Sequence, residues 1–589
     1  MSLPDFSPQA ELFSTAALSA SLFAPTDRYR LFAKVVYPCL AASRAALEQC
    51  YCADNGRVAL EPVLLLGVSL LQDLDGMPDR QAVEMLRYHA GWNFALNRQL
   101  GDAVFHPTSL VNFRNRLNEH QQSALGFTTI LAALEAAGLV SRQSRQRLDS
   151  TQMFGRVSQM SRLDCVRESL RLALQELALG LAAAARPAWW TGLWERYVES
   201  QTDYRAGSDT LARKLVEAGT DAQQLLAWLA AQPAGWAQGE HARLLARVFS
   251  EQFEVRAGSA VPPSESLPAP VLSPPAALAP QPAPAPAPAA QGAGPVVGPK
   301  DKGQLPSDRV QNPHDPEATY AVKGQGQQKK AHVGYKVQVA ETVCEATLAP
   351  REPTRNFIVG VVTHPAHESD EAGALQMEAE QAAMGLEPPP VQYVDGAYIS
   401  AQKLVEAQAQ GREIIGPAQP APHKDGRFST AEFHIQVEAR TAVCPAGKTS
   451  TQCSRLVEAA GGKVSYRFEF GIQCHDCPLR ERCVGPDQRH RTLVVGEHHT
   501  ALQARRQEQQ TEAFQQRMKH RNAIEGTQSE LVRAHGLRRA RYRGLAKVKL
   551  QNYFIGAACN VKRWLRREAW QLQQAALGLG APAGPVPSR

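Results

Sequence analysis

The residues of this chain that could do chemistry gather in three places. Near the C-terminus, RNAIEGTQSELVRAHGLRRARYRGLAKVKLQNYFIGAACNVKRW (521–564) joins one carboxylate, Glu525, to a dense basic run. That run holds Arg538, Arg539, Arg541, Arg543, Lys547 and Lys549 around Tyr542, with no acid among them. Hard divalent metals take carboxylate oxygens and clustered cations neutralise phosphates, so the combination suits a site where a metal meets a phosphate backbone. The spacing predicts a helix: Ile524, Leu531 and Val532 form an apolar stripe, and Gly536 stands where a C-cap glycine belongs. Arg521, Glu525 and Gln528 follow at i, i+4 and i+7 on another face. Gly526 costs such a helix about 1 kcal/mol relative to alanine, which points to a backbone that something approaches closely. The plainer reading is a surface Arg–Glu pair beside a solvated basic face.

Two further carboxylates stand near expected strand ends. Asp149 closes a short element, SRQSRQRLDSTQM, and Asp395 ends the buried strand VQYVD, where Gly396 and Ala397 leave room around it. Strand ends open into crevices, a favourable setting for a metal-binding carboxylate. An Asp-Ser-Thr run is equally at home in a turn or an N-cap.

The third place is a cysteine cluster. The chain has 11 cysteines, an odd number, and Cys444, Cys453, Cys474, Cys477 and Cys483 fall within one short block. In a reducing compartment such a cluster favours metal over disulfides. Cys474-x2-Cys477 makes a tight-turn pair and Cys483 is within reach. Cys444 is the choice for the fourth thiolate, with Cys453 or His475 as rivals. Four closed ligands would make the zinc structural.

The elements that must position these groups alternate in character. At 589 residues, about two to four domains are expected. Net charge is +7, mildly basic and permissive of nucleic acid, with the cations unevenly spread. The N-terminus lacks a signal-peptide pattern, and the longest apolar run, Val63 to Leu71, is too short to span a bilayer, so a cytosolic protein with no membrane partner is expected. Residues 1–140 read as short helices, LEPVLLLGVSLLQDL, DRQAVEMLRYHAGW and TSLVNFRNRLNEH, the third capped by Thr108 or Ser109 and exposing Arg114 and Arg116. That is the pattern of a helix-turn-helix-like DNA-binding module. Residues 141–159 supply a first strand. Residues 160–257 are helical and tryptophan-rich with no motif that carries chemistry, and 258–305 is a Pro/Ala-rich disordered linker. Strand-like HVGYKVQVAETV and NFIVGVVTHP, helical EAGALQMEAEQAAM and strand REIIGP make 306–419 an α/β layer. The cysteine block, 420–500, interrupts it. The basic C-terminal segment, 501–572, and a disordered tail, 573–589, complete a multidomain α/β chain.

Taken together, PVLLLGVSLLQDLDGMPDRQAVEMLR, FHPTSLVNFRNRL, LDST, DPEA with HVGYKVQVA, VDGAY, CPAG, CHDCPLRERC and AIEG followed by LRRARYRGLAKVKLQNYFIGAACNVKRW resemble the DDE transposases of bacterial insertion sequences, the group with an InsH-like N-terminal region. The resemblance covers most of the chain apart from 160–300. It implies a ribonuclease-H-like mixed-sheet core carrying Asp149, Asp395 and Glu525 as a triad for two Mg²⁺ (or Mn²⁺) ions. The resemblance, not spacing, selects those three acids. It further implies binding of terminal inverted repeats and target DNA as a homodimer, strand cleavage and strand transfer, and action on the bacterial nucleoid in the cytoplasm. Arg521, Gln528 and the 538–549 cations would grip phosphates. The alternatives are a zinc-containing DNA-binding protein without catalysis, or a nuclease that cuts without joining.

Overall fold

The computed structural model describes residues 3–4, 15–52, 56–99, 101–201, 207–233, 235–256, 296–324, 329–421, 426–458 and 462–578. The chain divides into two compact units, Met1–Arg156 with Gly334–Arg589, and Val157–Val333.

In the first unit, helices α1 (Pro62–Asp75), α2 (Asp79–Tyr88), α3 (Thr108–Glu119) and α4 (Leu125–Ala136) precede a mixed sheet. Five of its six strands concern this unit: β1 (Gln146–Phe154), β2 (Lys330–Thr342), β3 (Ile358–Pro365), β4 (Val391–Tyr393) and β5 (Glu413–Ile415). Helices α5 (Asp370–Ala383) and α6 (Ala401–Ala409) link the later strands, and α7 (His499–Glu508), α8 (Glu512–Asn522), α9 (Ile524–Ala534) and α10 (Leu545–Ala576) follow the cysteine block. The five strands lie in the order β3-β2-β1-β4-β5. β1, β2 and β3 are antiparallel neighbours, whereas β4 and β5 run parallel to β1 and to each other.

The alternation of Val333, Tyr335, Val337 and Val339 predicts a half-buried strand, yet β2 is buried on both faces over nearly all of 332–342. Helices cover both sides of the sheet. A Cβ on Gly360 of β3 would meet the Met377 sulfur of α5, while the next residue, Val361, faces Gly556 of α10. Helix α10 is the spine of the unit. Every residue from Leu550 to Val561 is buried, the signature of a helix enclosed all round. It packs on β3 and on α1, α3 and α4, joining the N-terminal helices to the sheet. Asn560 fixes that packing: its amide donates to the Ile358 carbonyl and its oxygen accepts from the Ile358 N–H, both at 2.8 Å. These bonds satisfy the free edge of β3 as a neighbouring strand would.

The N-terminal helices depart from expectation at two points. α3 begins at Thr108 after Pro107, and the helix start is served by His106 Nδ1, which accepts from the Thr108 N–H at 3.3 Å, rather than by Thr108 or Ser109. DRQAVEMLRYHAGW is two helices, because His89 takes an extended backbone and its Nδ1 accepts from the Trp92 N–H.

The cysteine block folds as a hairpin, β6 (His434–Gln436) with β7 (Thr441–Val443), and a three-stranded antiparallel sheet, β8 (Gln452–Val457), β9 (Val464–Glu469) and β10 (Thr492–Gly496). Phe433, Ile435, Phe468, Phe470, Leu493 and Val495 form its core together with Cys474 and Cys483.

The second unit has its own core. Helices Arg162–Gly180, Ser208–Ala230 and Glu240–Gln252 pack through Val166, Leu170, Leu174, Leu225 and Leu245, with Trp190 and Tyr197. The Glu176 carboxylate accepts from the N–H groups of Glu240, His241 and Ala242, at a helix N-terminus where negative charge is favoured. Two boundaries differ from the sequence reading. Val296–Pro299, inside the expected linker, is a strand paired antiparallel with Phe253–Arg256, so the chain returns to this unit; residues 257–295 lie outside the described residues. Segment 306–333, assigned above to the α/β layer, groups with the second unit, and Val310 enters its core. At the C-terminus, helix α10 continues to Ala576, past the expected start of the tail; 579–589 lie outside the described residues.

Candidate active site

Asp149 is the fourth residue of β1, not its end. The strand continues because β2 pairs with it as far as Phe154, whose N–H and carbonyl then bond to the Arg538 carbonyl and the Ala540 N–H, each at 2.9 Å. On the other side of β1 the neighbour stops early. β4 pairs only at Gln146↔Gln392 and Arg147↔Tyr393. The ladder has therefore opened at the level of Asp149, and Asp395 lies two residues beyond Tyr393 on the diverging chain. There it caps the short turn Gly396–Tyr398, accepting from the Gly396 N–H. Gly396 does not make room around the carboxylate, as expected above. A Cβ there would come within 2.8 Å of the Pro417 carbonyl, so glycine serves the close passage of that segment.

The expected single helix around Glu525 is two, α8 and α9, meeting at Ala523. Arg521 lies in the last turn of α8 and Glu525 in the first turn of α9. Each charge suits the dipole end it occupies. Gly526 has open space where a Cβ would stand, so nothing among the described residues approaches it closely. Gly536 follows α9 with φ of 73°, as a C-terminal glycine should.

These pieces converge on one guanidinium. Arg521 Nη2 lies 2.9 Å from Asp149 and 3.5 Å from Asp395, and Nη1 lies 3.3 Å from Glu525. Asp149 is nearly buried, its side chain 12% exposed, while those of Asp395 and Glu525 are 54% and 70% exposed. The three carboxylates thus line an opening from the sheet to solvent. Asp149 also accepts from the Ser150 N–H at 2.8 Å, and Gln528 of α9 donates to the Ser150 carbonyl at 3.2 Å. An all-oxygen carboxylate set of this kind fits Mg²⁺ or Mn²⁺.

Sequence reasoning missed what holds the site together. Glu341 of β2 is fully buried and accepts from Arg147 of β1 (2.5 Å), Arg563 of α10 (2.5 Å) and the Thr527 hydroxyl of α9 (2.7 Å). Arg147 also donates to the His520 carbonyl at the end of α8. One carboxylate so ties β1, β2, α9 and α10. The available signal was a lone acid in a β-branched strand; Arg563, one of several cations near the end of α10, carried none of its own.

The cations expected to contact DNA differ in how they are engaged, and Arg114, expected to be exposed on the third N-terminal helix, is not. Arg114 is buried, paired with Asp79 at 2.5 Å and set over the Tyr542 ring. Arg116 stacks on Tyr51, with its guanidinium 4.1 Å from the ring centre. Arg541 pairs with Asp73 at 3.1 Å, and Arg538 donates to the Gln152 carbonyl. Burial pushes the Asp73 carboxyl up to about 6, with Arg541 and Arg114 opposing. Arg539, Arg543 and Lys547 are exposed.

Cys444, Cys474, Cys477 and Cys483 line one small cavity with Lys448, Phe470, Arg480 and Arg491, whereas Cys453 and His475 do not line it. Tight turns present them: the Gly447 N–H donates to the Cys444 carbonyl and the Cys483 N–H to the Arg480 carbonyl. Burial pushes the Cys483 thiol up to about 11; Arg491 opposes this and the other three cysteines add to it. Four thiols on turns around one cavity are a donor set that fits zinc. Among the described residues, the group of three whose ligand atoms all lie within 4.8 Å of one another is a different one, Glu530, His535 and Cys559. There Lys562 (2.9 Å) and Arg563 (3.0 Å) already occupy the two Glu530 oxygens, so that carboxylate is held in ion pairs. The thiols and the site carboxylates stand further apart, the carboxylates with Arg521 between them.

Two family models match the chain. One, described as Transposase DDE domain, covers residues 443–565. The other, described as Transposase domain (DUF772), covers 19–116. The first includes Glu525, the four cysteines and the basic run; Asp149 and Asp395 lie outside it. Comparison with curated proteins and with solved structures gives no match. Among the described residues no helix is long and apolar enough to cross a membrane. The pair of matches is consistent with a DDE-class insertion-sequence transposase.

Proposed function

We propose that this chain is a DDE transposase that binds the inverted terminal repeats of an insertion sequence and performs metal-dependent DNA cleavage and strand transfer. The observation that carries the reading is the meeting of Asp149, Asp395 and Glu525, from a strand, a strand exit and a helix, around one guanidinium. Sheet order β3-β2-β1-β4-β5, three antiparallel strands followed by two parallel ones, supports a ribonuclease-H-like core.

Within that reading, Asp149, Asp395 and Glu525 hold Mg²⁺ or Mn²⁺. Bound there, the metal would supply Lewis-acid charge at phosphorus and a more acidic water. The protein's own part is geometric and electrostatic. Asp149 is fixed by the β1–β2 ladder and the Ser150 N–H, so its carboxylate presents a rigid reference point. Glu525 sits at a helix start beside Gly526, whose missing side chain lets a DNA backbone come close. The exposed Arg539, Arg543 and Lys547 supply sequence-independent attraction for phosphates. The cysteine block holds a structural zinc through Cys444, Cys474, Cys477 and Cys483. The two ends of such an element call for two copies of the chain on DNA, acting on the nucleoid in the cytoplasm.

The test is incubation of the purified chain with a plasmid bearing the inverted repeats that flank its gene. Mg²⁺-dependent cuts at the repeat ends, followed by joining to target DNA, are expected. Cutting without joining would make it a nuclease. End binding without cutting in any divalent metal would leave a DNA-binding protein only.

A further inference from the structure

We propose that Arg521 is an internal counter-ion, holding the carboxylate site in a metal-poor state until DNA arrives. The inference rests on the reading of Asp149, Asp395 and Glu525 as metal ligands.

Three carboxylates this close repel one another, and Arg521 is the group that contacts all three, at 2.9, 3.5 and 3.3 Å. Its side chain is only 15% exposed, so the attraction is poorly screened by solvent. Its two terminal nitrogens donate to Asp149 and Glu525, while Nε is buried with no partner among the described residues. A guanidinium among these oxygens and a divalent ion on the same oxygens repel each other. Metal loading therefore requires the guanidinium to withdraw.

Arg521 and Glu525 belong to different helices, joined through Ala523. Each charge keeps its favourable dipole end when the pair separates. A phosphate arriving at the opening offers the displaced cation a new partner, since guanidinium binds phosphate oxygens through paired N–H donors. Metal and DNA then bind cooperatively: phosphate draws Arg521 off the carboxylates, metal pushes it toward phosphate, and by linkage each tightens the other equally. The consequence is a site that resists arming itself for hydrolysis while DNA is absent.

The test measures Mn²⁺ affinity of the full chain by the electron paramagnetic resonance of free Mn²⁺, with and without a duplex carrying the terminal repeat. Without DNA, Arg521→Gln should bind Mn²⁺ on the order of tenfold more tightly than wild type, since one like charge has left the site. The duplex should tighten Mn²⁺ binding in wild type and much less in the variant. Arg521→Lys, which keeps the charge, should stay near wild type. Equal or weaker Mn²⁺ binding by Arg521→Gln would overturn the proposal. Thermal unfolding guards against a folding defect. The glutamine variant should melt lower than wild type in EDTA and recover with Mn²⁺, whereas a melting point low in both conditions would make Arg521 a structural brace and overturn the counter-ion role. Asp395→Asn and Glu525→Gln separate the two levels of inference. If neither changes Mn²⁺ binding, the carboxylates are not the metal site and the reading beneath has failed. If both weaken it while Arg521→Gln is no tighter than wild type, the counter-ion alone has failed.

Discussion

Glu341→Gln should loosen the first unit far more than a single surface charge change would. The Glu341 carboxylate is 0% exposed and answers two buried arginines and one hydroxyl. Without its charge, Arg563 keeps Glu530 at 3.0 Å, but Arg147, 5% exposed, retains the His520 carbonyl and no carboxylate. Removing one partner of a buried ion pair costs about 3–5 kcal/mol. Glutamine still offers one acceptor, so the lower end applies, a factor of roughly 10² in an opening equilibrium. Hydrogen exchange read peptide by peptide is the assay, because it keeps the two units apart. The slowest amides of β1, β2 from Gly334 onward, and α9 should exchange roughly 10²-fold faster, while Arg162–Gly180 in the second unit stays unchanged. Glu341→Leu, which also strips the Thr527 hydroxyl of its acceptor, should be worse. Acceleration below about threefold in β1 and β2, or equal acceleration in both units, would refute the claim that this carboxylate ties the strands and α9 together.

Three other outcomes follow from the same geometry. Purified chain should hold about one zinc, and Cys477→Ser with Cys483→Ser should lose it and unfold 426–496 before the sheet; zinc content unaltered in that double variant would remove these thiols as ligands. Neutralising Arg539 and Arg543 together should weaken binding to all duplexes alike and reduce the slope of log affinity against log salt by about 0.9 for each phosphate that is no longer neutralised, whereas an unmoved slope would mean that neither touches phosphate. The Glu530 carboxyl, raised by burial but held down to about 2 by Arg563 and Lys562, lies below its ordinary 4.5, so its contribution to stability is present above the unfolded value and lost as pH falls from 4.5 toward 2. The stability gap between wild type and Glu530→Gln, measured by urea unfolding, should then narrow across that range; a gap independent of pH would contradict it.

Much of the fold was legible because single elements declare themselves locally. The β-branched run of β3, the helical spacing of α5 and the apolar stripe of the second unit's first helix all follow from periodicity alone. What failed was wherever tertiary partners decide. β1 runs past Asp149 because Gly334 and the 538–540 segment pair with its end, and nothing within 146–154 records that. β2 reads as half-buried although helices cover both faces of the sheet. The helix around Glu525 breaks at Ala523, a residue with no breaking propensity of its own. In the site, residue types narrowed the search to acids near strand ends and helix starts. Spacing could not choose among them, because Asp149 and Asp395 become neighbours only through the parallel pairing of β1 with β4. The cysteines were easier, since short-range turns bring Cys474, Cys477 and Cys483 together and leave only the fourth member open.

The most direct test of the carboxylate site compares strand cleavage and end binding in the same samples for wild type, Asp149→Asn, Asp395→Asn and Glu525→Gln. Each substitution keeps the side-chain shape and removes the charge that holds a divalent metal. Cleavage at the repeat ends in Mg²⁺ should vanish in all three variants while end binding stays close to wild type. Wild-type cleavage by any one of them would remove that residue from the site, and wild-type cleavage by all three would show that the chemistry happens elsewhere.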